Sequence, residues 1–127
     1  MESQKPNPNA PPLKLLSVVI PAREEEGCVA STVEHLHLEL CLQNIPHEIV
    51  VVDDGSSDKT WEILTKLKNK ISELNPCRNS APHGFGRAVV RGLDFSRGDA
   101  VVIMMADECD DVRDAVKYWR LLNEGYD

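Results

Sequence analysis

The chain has 127 residues, which is enough for one domain with a substantial core and for no more. Its formal net charge of −7 and its lack of a basic stripe argue against nucleic acid as a partner. The apolar runs are too short to cross a bilayer, no signal-peptide pattern opens the sequence, and the four cysteines lack zinc-site spacing, so we expect reduced thiols in a cytoplasmic protein.

The sequence starts with a stretch rich in proline and asparagine. Residues 1–13 are predicted to be a disordered leader, which leaves residues 14–127 for the domain. A first strand should end at Ile20, because Pro21 has no N–H to donate to a central ladder. Apolar residues at helical spacing then predict a helix from Glu25 to Leu42.

Strands and helices are predicted to alternate through the rest of the chain. A second strand covers Glu48 to Val52, and Asp58 is expected to cap a helix whose apolar face extends to Leu74. The stretch from Asn75 to His83 is polar and is expected to be a loop. A short helix, a third clear strand and a last helix are predicted at Gly84 to Phe95, at Ala100 to Met105, and from Asp110 or Asp111.

This alternation favours right-handed crossovers and a doubly wound, mainly parallel α/β sheet with helices on both faces. The strand runs are β-branched without polar alternation, which is typical of strands buried on both sides. His35, His37 and His47 are interpreted as surface or helix-face residues.

Acidic residues follow three of the predicted strands: Glu24 and Glu25, then Asp53 and Asp54, then Asp107. Because ligands of open α/β sheets bind at the carboxyl ends of the strands, these acids should converge on one crevice. Crowded carboxylates repel unless a cation or hydrogen-bond donors lie among them. The pattern predicts a metal-assisted site for a sugar- or phosphate-bearing ligand.

Each acidic group also fits a purely structural explanation. Asp53 and Asp54 before Gly55 are typical of a tight strand-to-helix turn. Acids in the first turn of a helix, such as Glu25, interact favourably with the helix dipole. Asp107 is also well placed to cap the last helix.

Four sequence blocks occur in a characteristic order: IPAREE, VVVDDGSSDKT, HGFGRAVVRGL and GDAVVIMMAD. In this order they resemble the amino-terminal half of a family 2 glycosyltransferase with the GT-A (Rossmann-like) fold. The resemblance is greatest to dolichyl-phosphate mannose synthases and bacterial polyprenyl-phosphate sugar transferases, and it extends from about Ser17 to the last residue. It implies a donor-binding part that is truncated before the acceptor-binding half.

The resemblance also implies roles for residues at the first two strand ends. Pro21, Arg23 and Glu25 would belong to the base and ribose pocket of a nucleotide-diphospho-sugar. Val52 would line this pocket through its backbone, and Asp54 would contact the nucleotide.

At the third strand end, the resemblance implies Ala106 and Asp107 as nucleotide-sugar-binding residues, with Asp107 as the ligand of Mg²⁺ or Mn²⁺. The family has an Asp-x-Asp motif where this chain reads Met105–Ala106–Asp107, so the first acid is absent. By the same resemblance, Gly86 and Ala88 would permit close approach of a helix to the sheet.

The expected function is therefore metal-dependent transfer of a hexose from GDP-mannose or a UDP-sugar to a lipid phosphate or a hydroxyl. A polyprenyl or dolichyl phosphate acceptor would place the protein peripherally at a membrane. No general base is assigned, because the acceptor site is expected outside this chain. A carboxyl-terminal half or a homo-oligomer would cover the sheet edge. Two alternatives are a non-catalytic sugar-nucleotide-binding fragment and a Mg²⁺-dependent receiver-type signalling domain.

Overall fold

The computed structural model describes residues 12–106 and 112–124 as a parallel sheet with helices on both faces. The strands are Leu16–Ala22 (β1), His47–Asp53 (β2), Leu74–Arg78 (β3) and Ala100–Ile103 (β4). The helices are Val29–Leu42 (α1), Thr60–Lys68 (α2), Phe85–Phe95 (α3) and Val112–Asn123 (α4). The strand order is β3-β2-β1-β4, and every pairing is parallel. The predicted doubly wound α/β sheet is confirmed.

Apolar side chains cover both faces of the sheet. One face packs against α1, α2 and α4. The opposite face carries Val19, Val50 and Val52, which pack with Ala88 of α3. All residues of β1 and β2 are buried, which explains why both strands lack a polar alternation.

Strand β1 continues past its predicted end at Ile20. Pro21 pairs in register with Val52 of β2. The carbonyl of Val19 accepts a hydrogen bond from the amide of Met104, and backbone groups two residues apart point to the same side of a strand. Pro21 therefore faces the β4 side, where the pairing with β4 has already ended at Val19. No ladder donor is needed at that position, so the proline is tolerated.

The stretch Asn75–His83, predicted as a loop, begins inside an edge strand. Strand β3 covers Leu74–Arg78 and lies at one end of the described sheet. The amide of Asn79 donates to the carbonyl of Asp53, so alternate residues of β3 direct their backbone groups toward β2. Pro76 has the opposite parity, and its nitrogen points away from β2. An edge strand accepts this proline, whereas a central strand would not.

Other boundaries differ from the predictions by a few residues. Helix α1 begins at Val29 rather than at Glu25, and strand β4 ends at Ile103. Helix α2 covers Thr60–Lys68, so Leu74 begins β3 rather than ending the apolar face of α2. Its N-cap residue is Lys59 and not Asp58, although the Asp58 carboxylate accepts the Thr60 amide at 2.9 Å.

Close packing of α3 on the sheet depends on Gly92. A Cβ at Gly92 would lie 2.4 Å from Cγ1 of Val19 and 3.0 Å from Cγ2 of Val52. At Gly86 a Cβ would meet no atom within 4 Å, so the expected role of Gly86 in close approach is wrong. Ala88 is buried against the sheet, as expected.

Several predictions fall on residues outside the described part of the chain. These are most of the leader, the predicted metal ligand and the predicted starts of the last helix: residues 1–11, Asp107, Asp110 and Asp111.

Candidate functional site

The sheet has a topological switch point between β1 and β4. From β1 the chain proceeds through α1 and α2 to β2 and β3 on one side, whereas α3 crosses the opposite face and leads to β4 on the other side of β1. Open α/β sheets bind ligands in the crevice at the carboxyl ends of the strands flanking such a point. Residues 23–26 after β1 and 104–106 after β4 border this candidate site.

Pro21 and Val52 lie side by side next to the switch point. They are paired in register, and both are buried. The side chain of Val52 packs beneath α3. The structure therefore places both predicted residues at the same edge of the sheet.

The loop after β1 is fastened to the loop after β2. Glu24 has a φ of 55°, and its carboxylate accepts hydrogen bonds from the amide and the hydroxyl of Ser57. The amide of Glu25 donates to Oγ1 of Thr60 at 2.9 Å. The side chain of Arg23 is exposed beside these contacts. Glu24 therefore stiffens the rim of the site, and Arg23 remains accessible to a ligand.

Asp53 serves the turn that follows β2. Its carboxylate is buried, and Oδ1 accepts the amide of Ser56 at 3.0 Å. Oδ2 lies 3.6 Å from Nε of Arg78, whose guanidinium carbon is 4.5 Å from the centre of the Trp61 ring. For Asp53 the structural explanation offered by the sequence is sufficient.

Asp54 organises the segment that leads into α3. Its Oδ1 accepts hydrogen bonds from Nδ2 of Asn79 at 2.8 Å and from Nδ1 of His83 at 3.1 Å, and its Oδ2 accepts the amide of Gly84 at 2.9 Å. Burial alone would raise the pKa of Asp54, but the hydrogen bonds from Asn79, Gly84 and His83 outweigh it and lower the pKa below its usual value. Asp54 is therefore ionised at neutral pH, and it is only 4% exposed.

Gly55 allows His83 to approach Asp54. Its φ is +79°, a region that favours glycine, and a Cβ there would lie 2.6 Å from two atoms of the His83 ring. The glycine after the two aspartates is required both by the turn and by the histidine that covers it.

The end of β4 is tied to α1. Oγ1 of Thr32 donates to the carbonyl of Ala106 at 3.0 Å, and Ala106 is buried. Because α1 begins just after the loop that follows β1, this hydrogen bond holds the two walls of the candidate site together.

A second feature near the site is a cleft of about 550 Å³ along α3. Arg87 and Arg91 line it, together with Asn79, which contacts Asp54. Both arginines are exposed, and Nε of Arg91 donates to the carbonyl of Arg78 at 3.2 Å. Their charge lies on the α3 side of the sheet.

A cation at the switch point would depend on Asp107, which is outside the described residues. Within residues 12–106 and 112–124, the carboxyl ends of the strands bring together no group of three potential metal ligands. Mg²⁺ is compatible with this sparse set, because one or two carboxylates and the phosphates of a bound ligand are its usual partners.

The sequence interpretation missed three residues that surround the paired aspartates. Arg78 ends β3, Asn79 and His83 follow it, and all three contact Asp53 or Asp54. Recognising residues 74–78 as an edge strand would have placed these three residues at the carboxyl edge of the sheet.

None of the described helices is both long and apolar enough to span a membrane.

Comparison with known protein families gives one extensive match. Residues 17–126 match the profile described as Glycosyl transferase family 2. A dolichol-phosphate mannosyltransferase of Pyrococcus furiosus is 37% identical over 94 residues, which are 72% of this chain and 25% of that protein. An undecaprenyl-phosphate 4-deoxy-4-formamido-L-arabinose transferase of Yersinia enterocolitica is 29% identical over 116 residues, 91% of this chain and 36% of that protein. The chain thus spans about a quarter to a third of the length of these relatives.

Solved structures also resemble this fold. Mannosyl-3-phosphoglycerate synthase from Rubrobacter xylanophilus has a TM-score of 0.65 at 25% identity, covering 76% of this chain and 31% of that one. A mannosyltransferase from Pyrobaculum calidifontis in complex with GDP-Man and Mn²⁺ has a TM-score of 0.68 at 23% identity, covering 95% and 34%. These similarities confirm the predicted GT-A fold.

Proposed function

The chain belongs to glycosyl transferase family 2, and from this premise we propose that it forms the part of a hexosyltransferase that binds the nucleotide-diphospho-sugar. The acceptor we propose is a lipid phosphate or a hydroxyl, bound by a part of the enzyme outside this chain.

The observation that carries this proposal is the switch point between β1 and β4. It brings the loops after these strands to one crevice, beside the buried end of β2. The ends of three parallel strands there offer backbone groups and ionisable side chains to a polar ligand. The strand order β3-β2-β1-β4 also argues against a receiver-type signalling domain, because that flavodoxin-like class places its third strand on the other side of the first.

Five residues near this crevice have proposed roles in donor binding. Pro21 and Val52 contribute the floor of the base pocket, Val52 through its backbone. Arg23 is exposed at the rim and can stack on a base or pair with a diphosphate. Glu25 lies on the same rim and would belong to the base and ribose pocket, and Asp54 would contact the nucleotide.

Ala106 and Asp107 complete the proposed site on the β4 side. Asp107 would hold Mg²⁺ or Mn²⁺ together with the diphosphate oxygens of the donor. When bound, such an ion neutralises the negative charge that grows on the leaving diphosphate. Ala106, with its carbonyl held by Thr32, fixes where the chain enters this segment.

The names of the relatives support a narrower proposal for the substrates. The Pyrococcus furiosus and Yersinia enterocolitica proteins are named for transfer to dolichol phosphate and undecaprenyl phosphate. We therefore favour a polyprenyl phosphate acceptor and a peripheral position at a membrane surface. GDP-mannose is the first donor to test, because the Pyrobaculum calidifontis structure contains GDP-Man.

The test is thermal unfolding of this chain with GDP-mannose, UDP-glucose, GDP or UDP, each with Mn²⁺ or with EDTA. A ligand at about a hundred times its dissociation constant adds about 2.7 kcal/mol to the free energy of unfolding, which is a shift of several degrees. We expect one nucleotide series to raise the melting temperature in Mn²⁺, and we expect the rise to be lost in Asp107→Ala and reduced in Arg23→Ala.

Two matched variants serve as controls. Asp94→Ala and Arg97→Ala remove the same charges from exposed positions away from the switch point, and they should keep the full shift. A cooperative transition that no nucleotide shifts would reject donor binding by this chain. A shift that survives EDTA and Asp107→Ala would reject the proposed metal and support a metal-independent sugar-nucleotide-binding role.

A further inference from the structure

Three potential metal ligands meet at the amino end of the sheet. His37 and Cys41 are one turn apart on α1, and His47 is the first residue of β2. One ligand atom from each residue lies within 4.8 Å of the others. Strand β2 separates this cluster from Asp53, and seven residues at about 3.3 Å each place the two ends roughly 20 Å apart. The cluster is therefore distinct from the proposed donor site.

His47 presents an unprotonated nitrogen to the cluster. Its Nδ1 lies 2.8 Å from the carbonyl of Ile45, which can only accept, so Nδ1 carries the proton. With the proton on Nδ1, the neutral ring has its lone pair on Nε2, and Nε2 faces Nδ1 of His37. A backbone carbonyl that fixes the tautomer in this way is typical of histidines that ligate metals.

His37 supplies the second nitrogen. Its Nδ1 lies 2.9 Å from Nε2 of His47, and with no metal bound the Nδ1–H of His37 donates a hydrogen bond to this nitrogen. Its Nε2 lies 4.0 Å from Oε1 of Glu73. If the His37 proton moves to Nε2, it faces this carboxylate, and both Nδ1 of His37 and Nε2 of His47 then offer lone pairs to one ion.

Cys41 adds a sulfur at a suitable distance. Its Sγ lies 3.8 Å from Nδ1 of His37. In a tetrahedral zinc site, with bonds of about 2.0–2.1 Å to nitrogen and 2.3 Å to sulfur, ligand atoms lie roughly 3.3–3.6 Å apart. The nitrogens here are a few tenths of an ångström too close and the sulfur a few tenths too far. The sulfur also lies 3.7 Å from Nε2 of His37 and within 4.8 Å of the His47 nitrogen, so metal binding would require rotation of the half-buried His37 and the exposed Cys41 side chains.

We propose that His37, Cys41 and His47 form a site for a borderline or soft divalent cation such as Zn²⁺. The thiolate and imidazole ligands select against Mg²⁺ and Ca²⁺, which prefer oxygen. Binding releases the thiol proton of Cys41 to solvent and moves the His37 proton to Nε2, so the ion meets one thiolate and two neutral imidazoles and the site carries a net charge of +1. The fourth position is open to water, and Glu73 faces the Nε2–H of His37. Such an ion ties the end of α1 to the start of β2.

The test is titration of the 127-residue chain with Co²⁺ and then with Zn²⁺, without any nucleotide. One equivalent of Co²⁺ should produce the strong visible bands of tetrahedral cobalt and a thiolate-to-cobalt charge-transfer band, and Zn²⁺ should displace it. Cys41→Ser should abolish the charge-transfer band. Cys41→Ser and His37→Gln should each weaken Zn²⁺ binding by at least about tenfold, the scale of losing a supporting interaction in a metal site.

Two control variants separate this site from other binding. His35→Gln removes an exposed histidine from the same helix, and Cys109→Ser removes the thiol two residues after the predicted metal ligand Asp107. Both should bind Zn²⁺ like the unmodified chain, and circular dichroism confirms that all four variants are folded. A cobalt spectrum without a charge-transfer band, or a band that survives Cys41→Ser, would overturn the proposal. Loss of the band in Cys109→Ser alone would assign the thiolate ligand to Cys109 and equally refute the proposal.

Discussion

The contact between α3 and the sheet can be tested with one pair of substitutions. A Cβ at Gly92 would lie 2.4 Å from Cγ1 of Val19 and 3.0 Å from Cγ2 of Val52, and both valines are fully buried. Gly92→Ala therefore forces α3 away from β1 and β2 or distorts the two valines. Gly86→Ala makes the same change on the same helix, at a position where a Cβ meets no atom within 4 Å.

The magnitudes follow from two opposing effects. Adding a methyl group to a packed core costs about 1–3 kcal/mol, whereas replacing glycine by alanine in a helix gains up to about 1 kcal/mol. Gly92→Ala should therefore lower the free energy of unfolding by up to about 2 kcal/mol. Gly86→Ala, with the helix effect alone, should leave it unchanged or raise it by up to about 1 kcal/mol. Because the helix effect largely cancels between the two variants, their difference measures the packing of α3.

The assay is urea unfolding followed by circular dichroism, with equal denaturant slopes required before free energies are compared. Gly92→Ala should unfold at lower urea than Gly86→Ala by a margin well outside the fitting error. Equal midpoints for the two variants would refute the close approach of α3 to β1 and β2. Since the amide at the start of α3 donates to Asp54, the same result would also weaken the account of how that carboxylate is held.

Two carboxylates at opposite ends of β2 give further predictions. The folded-state pKa of Asp54 lies below 3.8, so its stabilising contribution is present above that pH and is lost as the pH falls through the folded value. Asp54→Asn should therefore lower the free energy of unfolding at pH 7 and flatten its decrease toward acid. Urea midpoints of both proteins between pH 7 and about pH 3 check this, and an unchanged pH slope would be the contrary result. Glu48 is buried and accepts hydrogen bonds from Ser17, Asn75 and the amide of Arg97. Glu48→Gln turns one acceptor into a donor, so it should lower the free energy of unfolding in urea by about 1–3 kcal/mol. A variant as stable as the parent would contradict these contacts.

The sequence predicted the strands correctly where residue composition alone was sufficient to identify them. The runs that became β1, β2 and β4 are apolar and β-branched, and such runs fit the buried strands of a parallel sheet. Strand β3 was missed because the stretch from Asn75 to His83 is polar and does not fit a buried central strand. Only the strand order shows that β3 is at an edge, and strand order is a property of the whole sheet.

The contacts within the two sites were beyond local patterns. Asn79 and His83 reach Asp54 from 25 and 29 residues away, after a strand that the pattern did not reveal. His37 and His47 were expected to be surface or helix-face residues. His37 lies on α1, but the turn after α1 brings His47 back under it, and His47 is buried. In both cases a chain reversal creates the contact, and hydrophobic periodicity carries no information about it.

The second of the paired aspartates, Asp54, combines a structural role with a proposed role in ligand binding. A carboxylate has about four acceptor directions. Donors from Asn79, His83 and Gly84 occupy three of these acceptor directions at Asp54, and the residue is 4% exposed. Little of Asp54 remains for a ligand until the loop containing His83 moves. If Asp54 contacts a nucleotide, binding must therefore exchange one of these hydrogen bonds, and the segment before α3 should change its hydrogen-exchange protection when a donor binds.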